Sequence, residues 1–90
     1  MAKANVDPTE LRRFASDLNR FNTDLESLVG GLNARLQALE KTWQDQEQKR
    51  FTQEFQQTIK FLKRFMEVST QHVSFLNKKA KFVEEYLNQH

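Results

Sequence analysis

Cysteine is absent from this chain of 90 residues. Without it there can be no disulfide framework, no thiolate nucleophile and no zinc site built on sulfur. Proline occurs once and glycine twice. That is too little punctuation for a fold of short strands and tight turns, and it suits long helices. Histidine is also scarce: neither His72 nor His90, the last residue, has a second histidine or a suitably spaced carboxylate on its helical face, so no metal site is expected within the chain. No Ser-His-Asp or Cys-His arrangement stands out and no loop is long enough to build a cleft, so neither catalysis nor a bound cofactor is expected. No window approaches the roughly 20 apolar residues of a membrane span. The opening Met-Ala-Lys-Ala-Asn leads into an acidic stretch without the apolar segment of a signal peptide. The chain is therefore expected to be made in the cytoplasm and, if exported, to leave by a route that needs no cleaved signal.

What is present is charge and aromatic surface. Charged residues make up 29% of the chain, and eight phenylalanines, one tryptophan and one tyrosine recur at regular intervals, more aromatic surface than a disordered segment carries. The net charge of +2 is unevenly spread: residues 1–48 sum to −2, residues 49–81 to +6 and residues 82–90 to −2. The basic middle of the second half, with Lys60, Lys63, Arg64, Lys78, Lys79 and Lys81, could attract nucleic acid, but a solvated polar helix face explains it more simply.

Two helices are legible. Asp7-Pro8-Thr9-Glu10 has an N-cap acceptor, a proline at the first helical position and a glutamate placed for a capping box. Leu11, Phe14, Leu18, Phe21, Leu25, Leu28, Leu32, Leu36, Leu39 and Trp43 follow at spacings of three and four, which reads as one apolar seam. Gly30 and Gly31 fall where two steps of four interrupt it. They read either as a flexing point, or a place where a partner backbone comes close, or as a tolerated kink. Asp45, with Gln48 three residues on, caps a second helix. Its inner seam is Phe55, Ile59, Leu62, Met66, Ser69, Val73, Leu76, Ala80, Val83 and Leu87. One hairpin domain over 1–90 is predicted, with helices over about 8–42 and 46–88 and a turn over 43–45.

A further stripe lies one residue earlier on the second helix: Phe61, Phe65, Val68, His72, Phe75, Lys79, Phe82 and Tyr86. One neighbouring helix cannot cover two stripes. A second chain is the simplest cover, so the expected architecture is an all-α antiparallel hairpin that pairs with another into a four-helix bundle. Phe61, Phe65, Val68, His72, Phe75, Phe82 and Tyr86 are the candidate partner-binding residues. His72 is read as a packed, neutral ring and not as a ligand.

The layout resembles the Trp-Xaa-Gly proteins of type VII secretion, small helical hairpins similar to the early secreted antigens of mycobacteria. The residues that carry the resemblance are Trp43-Gln44-Asp45 at the turn near the midpoint, with Phe51 and Phe55 following in the second helix. The motif glycine is Asp45 here. The family's C-terminal export signal, a tyrosine with an acidic residue four positions later, is unmatched, because Tyr86 is followed at that spacing by His90. The resemblance implies an interaction protein of a type VII-like system, as secreted substrate or as adaptor. Its partner would be a second copy or a related hairpin, and a secretion ATPase is a further implied partner. A filament subunit or chaperone hairpin of another secretion machine is the alternative.

Overall fold

The computed structural model describes residues 5–89, and within them the chain is two antiparallel helices, α1 (Pro8–Glu40) and α2 (Gln46–Leu87). His90, which stands where the export signal would have its acidic residue, lies outside the described residues. Each helix starts where an aspartate offers an oxygen to free backbone N–H groups. The Asp7 side chain accepts from the Thr9 N–H at 2.9 Å, and that of Asp45 from the Gln48 N–H at 2.9 Å. The capping boxes are only half formed: Glu10 pairs with Arg13 at 3.0 Å, and the Gln48 amide donates to the Thr52 hydroxyl at 2.7 Å, so neither reaches back to its cap.

Helix α1 ends at Glu40, before the 42 expected, because the last turn tightens. The Lys41 N–H donates to the Ala38 carbonyl, and the Thr42 and Trp43 N–H groups both turn to the Leu39 carbonyl. Such short-range bonds satisfy the carbonyls that a helix end leaves free.

In α2 the inner face is the seam expected from sequence: Ile59, Ser69, Ala80 and Val83 are buried, and Phe55, Leu62, Met66, Val73 and Leu76 are half-buried. Leu87, at the helix end, is exposed. In α1 the seam differs from the expectation. The buried residues are Ala15, Asn22, Val29 and Leu36, one every seven positions. Phe14, Phe21, Leu28, Leu32 and Leu39, expected inside, are exposed. The heptad line with smaller side chains lets the two helices pack along a narrow seam, and the larger side chains one residue away are left at its edge.

The helices join at their free ends through a two-pronged ion pair, with the Arg12 guanidinium donating to both Glu84 carboxylate oxygens at 2.9 and 2.7 Å. Farther along, the Gln56 amide donates to Asn33 Oδ1 at 3.4 Å. The result is a rod of 70 × 16 × 13 Å.

Candidate interaction face

The larger side chains that the inner seam leaves out gather on one side of the rod. From α1 come Phe14, Phe21 and Leu39. From α2 come Phe61, Phe65, Phe75, Phe82 and Tyr86, all of them exposed. The two sets meet: Phe21 and Phe65 pack edge to face across the helices with ring centroids 6.4 Å apart. Beside them Phe14, Leu18, Phe65, Val68, His72 and Phe75 border an open groove of about 430 Å³. Toward the turn Leu32, Leu39, Phe51 and Phe55 line a second apolar depression. At the other end Phe82 and Tyr86 border a third with Val6. One apolar face thus runs along the rod, and Phe61, Phe75 and Phe82 are its most protruding rings at 74%, 65% and 71% exposure.

Each candidate residue can be placed on this frame. Phe61, Phe65, Phe75, Phe82 and Tyr86 are exposed, and Val68 is half-buried at the edge of the inner seam. His72 is exposed within the single hairpin, so nothing in one chain buries its ring. Sequence reasoning missed the contribution of α1, because it placed Phe14, Phe21, Leu28 and Leu39 in the core. The exact sevenfold spacing of Ala15, Asn22, Val29 and Leu36 was the signal that could have found it.

At the turn Trp43 is half-buried. Its ring lies 5.7 Å from that of Phe51, which stacks on Phe55 at 5.7 Å. These three rings close the turn end of the hairpin, and Asp45 starts α2 beside them with an extended backbone at the N-cap.

The opposite side of the rod has a different character. There Val29, Ile59 and Met66 form the floor of a groove edged by Glu26, Lys63 and Glu67. Among the described residues no group of three or more His, Asp or Glu stands together, and no helix is long and apolar enough to cross a membrane.

Electrostatics single out one pair. Hydrogen bonds from Arg12 hold the Glu84 carboxyl below its ordinary pKa; desolvation opposes them less strongly, and charge attraction to Arg12 adds a still smaller lowering. The same bonds raise the pKa of Arg12. Both side chains are substantially exposed, so solvent weakens the pair's contribution to stability.

Comparison with known proteins places this architecture. A family model described as "Proteins of 100 residues with WXG" matches residues 3–86. The chain belongs to the WXG100 family. Solved structures of WXG100-like shape include the secreted protein EsxB of Bacillus anthracis str. Sterne. In selenomethionine-labelled form it is 23% identical, with 98% of this chain and 100% of that chain covered and a TM-score of 0.82. An E54Q mutant of the same protein is 21% identical over 100% of this chain and 99% of that one, with a TM-score of 0.80. At these identities the likeness shows a shared helical-hairpin fold. No curated protein sequence matches the chain.

Proposed function

We propose that this WXG100 protein is a non-enzymatic, helix-packing component of a type VII-like secretion system, exported itself or acting as adaptor for an exported partner. The observation that carries the reading is the apolar face along the rod, joined to a family match over residues 3–86. Rings as exposed as those of Phe61, Phe75 and Phe82 favour association, because each buried Å² of apolar surface contributes about 25 cal/mol. A second copy is the partner of choice, since one chain supplies apolar side chains from both helices to the face and a twofold pairing covers both copies at once. His72 then lies at the subunit contact, between Val68 and Phe75. That EsxB, which shares this fold, is a secreted protein supports export as the destination, and a secretion ATPase would be the machine that receives the pair.

Sedimentation tests the assembly. The wild-type chain is expected to be dimeric at tens of micromolar, and Phe65→Glu with Phe75→Glu is expected to give helical monomers. A wild-type protein that remains monomeric there would overturn the reading. Export is tested separately, by following the tagged protein into the medium of cells with and without the secretion ATPase. Release that ignores the ATPase would exclude the type VII-like route.

A further inference from the structure

Three depressions follow the apolar face along the rod, and each contains one basic side chain. Arg35 lines the depression nearest the turn, His72 the middle one and Lys79 the one at the free ends. Among the described residues no aspartate or glutamate lines any of the three. The grooves elsewhere are mixed in sign: Glu26 and Glu67 accompany Lys63 on the opposite side of the rod, and Glu47 and Glu54 accompany Arg50 beside the turn. Arg35, His72 and Lys79 are all exposed, and among the described residues none of them forms an ion pair.

Whatever covers this face also covers its basic groups. Burying a charge without a counter-charge is strongly unfavourable, whereas a carboxylate placed opposite restores attraction and selects the partner that carries it. A second copy brings the same three basic residues and no acid from the three depressions. It covers the rings, but it gathers like charges in one desolvated contact. A hairpin with the same apolar outline and an Asp or Glu at matching levels covers the rings and answers the charges. Helix geometry sets those levels. Lys79 and His72 are seven residues apart on α2, about 10 Å along the rod, and Arg35 lies about 25 Å farther toward the turn, where it shares a depression with Phe55. An anionic lipid surface would attract the same cations. However, Glu10, Asp17 and Asp24 each precede Phe14, Phe21 and Leu28 by four residues, so they border the face on α1 and repel such a surface.

We propose that the apolar face fits best a related helical hairpin whose own face carries carboxylates opposite Arg35, His72 and Lys79. In the pure protein the second copy is the available partner, and the acid-bearing hairpin displaces it. The inference rests on the reading that this face is the contact surface, and it adds the charge pattern of the preferred partner.

Such a partner can be made from this chain. The triple variant Arg35→Glu, His72→Glu, Lys79→Glu changes only exposed positions, so the hairpin should keep its helicity, which circular dichroism checks. In an equal mixture with wild type at low salt, native mass spectrometry should find the mixed pair in at least about tenfold excess over the two self-pairs together, and the excess should shrink as salt is raised. Mixing in random proportions overturns the proposal. A second variant, Arg35→Gln with Lys79→Gln, covers an acidic chain that fails to fold. By sedimentation it must self-pair at least about tenfold more tightly than wild type, and equal or weaker self-pairing overturns the proposal. If wild type alone proves monomeric at every concentration, the second-copy reading fails, while a mixed pair in the same experiment still upholds the acid-bearing partner. Absence of the mixed pair there overturns this inference as well. Wild type that prefers vesicles of phosphatidylglycerol and phosphatidylcholine to the acidic chain overturns the choice of a protein partner.

Discussion

Asp45 stands where the family motif has glycine, and its geometry explains why the turn tolerates the change. The backbone at Asp45 is extended, with φ −111° and ψ −175°, a conformation open to any residue, so no left-handed turn demands glycine there. In exchange the carboxylate accepts the Gln48 N–H at 2.9 Å. Asp45→Ala should therefore destabilise the hairpin by about 1 kcal/mol, while Asp45→Gly should cost only a few tenths, because glycine is itself acceptable at a cap. Chemical denaturation decides it, and three equal midpoints would show that the bond contributes nothing. A second residue-scale prediction concerns Glu84. Its carboxyl is held below the ordinary value of 4.5 by Arg12, so the unfolded chain takes up a proton before the folded one does. The pair's contribution is present above pH 4.5 and is lost as pH falls through the lowered value. Thermal melts from about pH 7 down to about pH 3 should show wild type losing more than Glu84→Gln in that window. Parallel profiles would mean that the pair is too exposed to matter.

At the scale of the helix, legibility differed between α1 and α2 for a physical reason. The α2 seam alternates threes and fours from Phe55 to Val83, and its neighbouring stripe could be read as separate because polar His72 and Lys79 mark it. In α1 both adjacent lines are apolar, and hydrophobic weight pointed to the one with Phe14, Phe21 and Leu28. Burial instead followed Ala15, Asn22, Val29 and Leu36, which hydropathy alone ranks lower, since close approach of two helices selects for size as well as polarity. The all-α hairpin itself was legible from the caps, the single proline and the midpoint tryptophan. The extent of the apolar face was not, because it depends on the rotational phase of α1. The glycines give the element-scale prediction. With nothing within 4 Å of an added Cβ at either site, Gly30→Ala and Gly31→Ala should each stabilise the hairpin by about 0.5–1 kcal/mol. An unchanged or lowered denaturation midpoint would mean that a neighbour not visible in one hairpin occupies that space.

The whole molecule is a rod whose candidate contact surface runs along its length, and this fixes what assembly must look like in solution. One hairpin has a Cα radius of gyration of 20.3 Å and a longest extent of 70 Å. Two rods pressed face to face share that length, and because packed helices lie 8–10 Å apart, the pair's radius should rise only to about 21 Å. An end-to-end pairing, the first step of a filament, would double the length and bring the radius to about 40 Å, with little of Phe61, Phe75 or Phe82 covered. Small-angle scattering separates the two outcomes, since forward intensity reports the mass and the low-angle slope reports the radius. We expect intensity to double with concentration while the radius stays close to that of one hairpin. A radius that grows in proportion to mass would contradict lengthwise pairing and favour the filament alternative, because a contact at the rod's ends leaves its apolar side free to extend the array.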